Sequence, residues 1–199
     1  MPITFAAPPN DCLPALQQGL QTLRHAQSLD PSGGVAALAV PAAGQAMRPH
    51  PVYELGLDDL AAGKGLASAR QVAWRYLLVS NNQVNQAAEV VPAGGGNPSA
   101  FGMLTTGYVA GAEQAFALAD QLPDVQQRPY EIRALRVPAL YFMALWLKDS
   151  QGRADHFVVL PPAFAPLQAL RVYAANDLLP ILQQLAARKA PLEKAVAPA

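Results

Sequence analysis

The chain has 199 residues, a length that suits one domain, and 52% of them are hydrophobic, enough for a core that needs no disulfide or metal. Lys and Arg together number 14, as do Asp and Glu, so the basic excess typical of nucleic-acid-binding proteins is missing. The single cysteine, Cys12, excludes an intrachain disulfide and a cysteine-rich zinc site, and we expect neither metal nor cofactor.

The N-terminal region predicts a flexible lead followed by one amphipathic helix. Residues 1–9 predict the lead, and residues 1–10 lack the basic start and the continuous apolar stretch of a secretory signal. The helix is indicated by the capping types Asn10 and Asp11 and by leucines at helical spacing, namely Leu13, Leu16, Leu20 and Leu23.

Residues 34–51 predict a long connection in which only residues 35–40 resemble a strand. The apolar run 34–46 is too short to span a bilayer, so we expect a cytoplasmic protein.

Residues 71–91 predict a β-hairpin. Apolar residues alternate along 71–79, and both faces are partly apolar, as in a strand near the centre of a sheet. Asn81 and Asn82 tolerate positive φ and would turn the chain tightly into a second strand at 84–91. This pairing would place Glu89 opposite Trp74.

A glycine-rich loop and a long helix are predicted next. Residues 92–97 form the loop, Asn97 would cap the helix, and Pro98 would occupy its first position. An apolar stripe at helical spacing extends to Leu122, and Pro123 would end the helix. The stripe consists of Phe101, Leu104, Tyr108, Ala112, Ala115, Ala119 and Leu122.

The last third of the chain predicts strands and a final helix. Residues 130–137, 139–147 and 154–160 are strand-like, with Pro138 marking a bend and 139–147 the buried central strand. Residues 177–189 predict the last helix, and residues 190–199 a flexible tail. The predicted fold is one α+β domain over residues 10–189, a single antiparallel sheet of about five strands with the long helix across one face and further helices at the termini.

Two sets of residues are candidates for binding. The glycine-rich loop leads from a strand into the N-terminus of the predicted helix, where free N–H groups and the helix dipole could hold a phosphate or carboxylate. It fails the known nucleotide-loop patterns, and the alternative is a flexible connection. Its candidate ligand-binding residues are Gly94, Gly95, Gly96, Asn97 and Ser99.

The second set combines arginines with aromatic residues, which are common in binding hot spots. It comprises Trp74, Arg75, Tyr76, Arg133 and Arg136 as a predicted interaction surface. The alternative is that the arginines flank the sheet and pair with Glu54, Glu89 and Glu131.

Catalytic patterns are missing. The three histidines lack metal-ligand spacing, and no nucleophile motif occurs around a serine or around Cys12. We therefore predict a non-enzymatic binding or protein-interaction module, with another protein or a second copy as partner and neither nucleic acid nor membrane. The alternatives are a small-molecule or anion-binding protein, with or without catalysis, that uses the glycine-rich loop, and a structural subunit of a larger assembly.

Overall fold

The computed structural model describes residues 3–29 and 45–196, which contain nine strands and five helices. The strands are β1 (Ile3–Phe5), β2 (Gln45–Glu54), β3 (Arg70–Ser80), β4 (Gln83–Val91), β5 (Ala100–Thr105), β6 (Tyr130–Val137), β7 (Phe142–Asp149), β8 (His156–Val159) and β9 (Val172–Ala174). The helices are α1 (Cys12–Leu29), α2 (Leu57–Ala61), α3 (Ala112–Gln121), α4 (Pro123–Gln127) and α5 (Ala175–Val196). The strand-like residues 35–40 lie outside the described part of the chain.

The strands form one mixed sheet. Its hydrogen-bonded order is β5-β4-β3-β2-β6-β7-β8-β9, and β1 also pairs with β6. β2 and β6 run parallel, with Val52 opposite Ala134, whereas β3–β4, β4–β5, β6–β7, β7–β8 and β8–β9 are antiparallel. The prediction of a single antiparallel sheet of about five strands is therefore wrong. The parallel pair was missed because it joins segments that lie far apart in the sequence.

The predicted long helix over residues 98–122 is also wrong, because this segment forms β5 and the shorter helix α3. Its apolar spacing suited a helix, but Gly102, Gly107 and Gly111 each cost a helix about 1 kcal/mol relative to alanine. Gly111 takes a left-handed φ of 77° immediately before α3 begins. Local backbone preference therefore outweighed the side-chain periodicity.

The predicted hairpin is confirmed, with its turn at Asn81 and Asn82, whose φ angles are 53° and 60°. The observed register puts Arg75 opposite Glu89, and Trp74 opposite Val90. This differs by one residue from the predicted pairing. Helices at the two predicted terminal positions are present as α1 and α5.

The chain divides into two compact units made of interleaved segments. Unit 1 comprises Met1–Thr4, Val52–Gln71 and Gly111–Ala199, and unit 2 comprises Phe5–Pro51 and Val72–Ala110. Each unit has its own apolar core. The core of unit 2 packs α1 against β3, β4 and β5 through Leu16, Leu20, Trp74, Tyr76, Val90 and Leu104. The core of unit 1 packs α5 and α2 against β6, β7 and β8 through Leu60, Leu135, Trp146, Phe157, Leu178 and Leu182.

Regular structure extends into both predicted tails, since β1 lies within residues 1–9 and α5 continues to Val196. Among the helices of the described residues, none is long and apolar enough to cross a membrane.

Gly19 is a point of close packing within unit 2, where α1 meets β5. A Cβ atom at this position would lie 2.1 Å from Cγ of Phe101. Gly19→Ala is therefore expected to lower the free energy of unfolding by about 1–3 kcal/mol in denaturant titrations, because overpacking outweighs the better helix propensity of alanine.

The matched control is Gly94→Ala, since nothing lies within 4 Å of a Cβ there and the expected change is within about 0.5 kcal/mol. In a Phe101→Gly background, Gly19→Ala should lose its destabilising effect, because the Cβ atom of Phe101 would itself lie 2.4 Å from the added methyl group. Equal effects of Gly19→Ala in both backgrounds would contradict the steric explanation.

Candidate binding groove

Three segments of unit 1 enclose a groove with a volume of about 360 Å³. They are the turn between β6 and β7, the segment that follows β8, and the C-terminal half of α5. The lining is aliphatic and aromatic except for one lysine, and consists of Ala139, Leu140, Tyr141, Phe142, Pro162, Ala163, Phe164, Ala165, Leu167, Leu185 and Lys189.

The β6–β7 turn places Tyr141 on this groove. β6 ends at Val137, Pro138 begins one short 3₁₀ turn, and the N–H of Tyr141 donates to the carbonyl oxygen of Pro138 at 3.0 Å. Tyr141 then adopts left-handed φ and ψ angles of 49° and 44°, which for a residue with a Cβ cost about 1–2 kcal/mol. Tyr141 is nevertheless 68% exposed. Such strain without a gain in burial is typical of binding positions.

The segment after β8 contributes a second exposed aromatic residue, Phe164, whose exposed fraction is 59%. The segment is held at both ends. The N–H of Leu167 donates to the carbonyl oxygen of Phe164 at 3.0 Å, and the N–H of Leu170 donates to that of Val159 at 2.8 Å. Leu167 is buried in the core of unit 1, so the backbone that carries Phe164 is anchored.

Helix α5 provides the polar group of the groove. Leu185 and Lys189 are four residues apart and therefore share one face of the helix. The ammonium group of Lys189 donates a hydrogen bond to the carbonyl oxygen of Ala139 and lies 5.0 Å from the ring centroid of Tyr141. A positive charge is thus held beside an aromatic wall.

Lys189 is the one charged side chain among the described residues that line the groove, and the phenol of Tyr141 is another polar group there. Across residues 3–29 and 45–196, no group of three or more His, Cys, Asp or Glu side chains could hold a metal ion.

A polar cluster at the β7–β8 turn is explained by local structure. Asp149 is buried and accepts hydrogen bonds from the backbone N–H groups of Gln151, Arg153 and Ala154 and from Arg128. Burial alone would raise the pKa of Asp149, but these donors hold it below the usual value. The carboxylate therefore fixes the turn in its ionised form.

Asp155 has a similar role beside it. Its carboxylate accepts from the indole N–H of Trp146 at 3.0 Å, from the ammonium group of Lys148 at 3.2 Å and from the backbone N–H of Asp149 at 3.0 Å.

Cys12 lies in unit 2 beside Ser99, with Sγ and Oγ 3.4 Å apart. The thiol is fully buried, and burial raises its pKa, so it remains neutral rather than becoming a reactive thiolate. Ser99 also accepts from the N–H of Ala93 at 3.0 Å and donates its own N–H to Asp11 at 2.9 Å. These bonds join the β4–β5 connection to the start of α1.

The glycine-rich loop is a tight hairpin turn. Gly94 and Asn97 exchange two backbone hydrogen bonds of 3.1 and 3.0 Å, while Gly95 and Gly96 take φ angles of 57° and 85°. The turn leads into β5 instead of a helix. The anion-binding prediction for Gly94–Asn97 and Ser99 therefore lacks the helix N-terminus on which it was based, and it remains a prediction.

The predicted interaction surface is divided between the two units. Trp74, Arg75 and Tyr76 are buried in unit 2, whereas Arg133 and Arg136 are partly exposed in unit 1. The alternative pairing is confirmed for all three predicted acids, with N–O distances of 2.8 Å for Arg75–Glu89, 2.7 Å for Arg133–Glu131 and 3.0 Å for Arg136–Glu54.

Sequence reasoning missed the groove residues Tyr141, Phe164 and Lys189. Tyr141 was placed inside a buried strand over 139–147, but β7 begins only at Phe142. The available signal was Pro138, which was correctly expected to bend the chain but gave no indication of an exposed aromatic side chain three residues later.

Comparison with models of known protein families, with curated proteins and with solved structures finds no significant match to this chain. Its function is therefore inferred from its own geometry.

Proposed function

We propose that the protein is a non-enzymatic binding module that holds an apolar group in the groove lined by Tyr141, Phe164 and Lys189. The observation that carries the proposal is the exposure of two large aromatic side chains, Tyr141 and Phe164, on one concave apolar surface. An exposed aromatic pair loses contact with water when a ligand covers it, and this burial favours binding. A mainly apolar pocket with one or a few polar groups is the usual form of a ligand site.

The non-enzymatic part of the proposal is supported by the sequence, which contains no recognised nucleophile or nucleotide-loop motif. We further propose a cytoplasmic location and no nucleic-acid partner. A balanced charge and a single cysteine are in keeping with both.

The test uses the neutral fluorophore 1-aminoanthracene, whose emission rises in apolar surroundings. The full chain should bind it with saturation, and Phe164→Ser and Tyr141→Asn should each weaken binding by roughly tenfold, as expected for loss of one aromatic contact. Asparagine tolerates left-handed angles, so Tyr141→Asn should unfold at a temperature no lower than that of the parent.

Leu29→Ser is the matched control, because Leu29 is an exposed apolar residue of α1 outside the groove. It should bind the fluorophore as the parent does. An absence of saturable binding to the parent, or equal binding by all four proteins, would refute the proposed function.

A further inference from the structure

We propose that two copies of the chain associate through strand β5 and form a two-fold symmetric dimer in which the sheet of one copy continues into the other. The inference is independent of the proposed ligand groove, because β5 belongs to unit 2 and that groove to unit 1. It is carried by the open edge of β5, by the apolar surface on both sides of that edge and by the lack of charge there.

The open edge is the outer side of β5 (Ala100–Thr105), which lies at one end of the sheet. β5 pairs with β4, and none of the described strands pairs with its other side. An edge strand presents backbone N–H and C=O groups that can pair with a further strand. Many proteins protect such an edge with charged residues or proline, and the six residues of β5 include neither. The edge is therefore suited to the addition of a strand.

Apolar surface lies on both faces of this edge. Val91 and Met103 are 49% and 45% exposed on the face opposite α1, where Met103 is the cross-strand partner of Glu89. On the other face, a second groove of about 380 Å³ separates α1 from the start of β5. Small residues of α1 leave this space beside the edge, and they are Ala15, Gly19 and Thr22. An added strand would cover apolar surface on both faces, which favours association.

The lack of charge favours a second copy as the partner. Two identical strands pair antiparallel about a two-fold axis, so a residue near the middle of β5 lies close to the same residue of the other copy. A charged residue there would face its own charge, which destabilises strand pairing. β5 and the eight residues that line the second groove carry no charge, and the net charge of the chain is zero. Neither local nor overall repulsion therefore opposes self-association.

The same two-fold axis brings the helices α1 of both copies onto one face of the continued sheet. Each α1 lies over β4 and β5 of its own copy. Its small residues Ala15, Gly19 and Thr22 share the side of the helix that faces the edge. Small side chains allow two helices to approach closely, so the second grooves of the two copies would close against each other.

The dimer is expected to be weak and closed. Gly102 is an extra residue between the partners of Glu89 and Val90, and such a bulge shortens the regular ladder that β5 can offer. The surface is also smaller than the roughly 20–30 residues on each side of a stable interface, so we expect a dissociation constant of about 10–100 µM. Each copy has one β5, and association should therefore stop at two copies.

Sedimentation velocity of the full chain between about 1 and 500 µM tests the proposal, because this range spans the expected dissociation constant. The parent should change from monomer to dimer across it. Met103→Lys and Met103→Glu should each raise the dissociation constant at least roughly tenfold, since each charge would face its own copy. An equimolar mixture of the two variants should recover a dimer, because opposite charges then meet across the axis.

Met47→Lys is the matched control. Met47 lies in β2, is also exposed and belongs to unit 2, but it is not part of β5 or of the second groove. This variant should dimerise as the parent does. A cooperative thermal melt at 1 µM, well below the expected dissociation constant, verifies that every variant is folded.

Three results would overturn the inference. The first is a parent that stays monomeric up to about 500 µM, well above the expected dissociation constant. The second is an unchanged dissociation constant in Met103→Lys, because the dimer would then use another surface. The third is a mass that rises beyond two copies. Restoration of the dimer by mixing the lysine and glutamate variants supports pairing through β5, whereas failure of the mixture to dimerise contradicts it.

Discussion

Replacing Arg75 with methionine is expected to lower the free energy of unfolding by about 3–5 kcal/mol, because Glu89 would be left as a buried charge without this partner. The side chains of Arg75 and Glu89 are only 3% and 5% exposed. The guanidinium group donates to Glu89 at 2.8 Å and to the carbonyl oxygen of Gly107 at 2.7 Å. Chemical denaturation of the parent and the variant measures the difference.

The double variant Arg75→Met/Glu89→Leu distinguishes a lost ion pair from lost packing. Removing both charges should recover most of the stability, because no buried charge is left behind. The exposed ion pair of Lys64 and Asp59 serves as the control, and Lys64→Met should cost less than about 1 kcal/mol. If the double variant is less stable than Arg75→Met, the explanation by uncompensated charge is wrong.

The second large effect is a loss of stability in acid caused by His50. Burial, and after it the positive charge of Arg75, lowers the pKa of His50 to about 4, although a hydrogen bond to the carbonyl oxygen of Arg48 opposes this shift. The neutral ring donates from Nδ1 to that oxygen at 2.7 Å. In the unfolded chain the same imidazole has a pKa near 6.5.

Below pH 6.5 the unfolded chain therefore binds a proton that the folded protein does not bind. The contribution of His50 to stability is complete above pH 6.5, falls as the pH decreases towards 4, and amounts to about 3 kcal/mol over this interval. The free energy of unfolding should accordingly fall by about 3 kcal/mol more in the parent than in His50→Gln between pH 7 and pH 4. Equal pH dependence in the two proteins, or an NMR titration of His50 centred near 6.5, would contradict the assignment.

The features that could be predicted from the sequence are those that depend on nearby residues. The hairpin follows from alternation in β3 and from the two asparagines of its turn, and α1 follows from four leucines at helical spacing. Two of the arginine–glutamate pairs are local as well, since Arg75–Glu89 lies within the hairpin and Arg133–Glu131 within β6, and they could be anticipated because such arginines need acidic partners. Each of these features involves residues that lie within one helix, one strand or one hairpin.

The features that could not be predicted from the sequence depend on residues that are distant from one another in the chain. Nothing local distinguishes β5 from a helix except Gly102, and nothing local shows that β2 pairs with β6. The groove combines Tyr141, Phe164 and Lys189 from three separate segments, so it exists only after unit 1 has folded. Tyr141 is exposed because of the tertiary structure. Its neighbours in the sequence are apolar, so the sequence alone indicated a buried residue.

Because the two units are made of interleaved segments, synthesis on the ribosome completes unit 2 before unit 1. Every segment of unit 2 has been synthesised once Ala110 has been added, whereas unit 1 still lacks β6 to β9 and α5. Residues 52–71 are therefore synthesised before their partner β6. Until β6 is made, they expose apolar side chains such as Leu55 and Leu60, which are buried in the folded protein. Long-range pairing of this kind slows folding and favours aggregation before the pairing is complete. We therefore expect nascent chains that contain residues 52–71 but not yet β6 to be prone to aggregation.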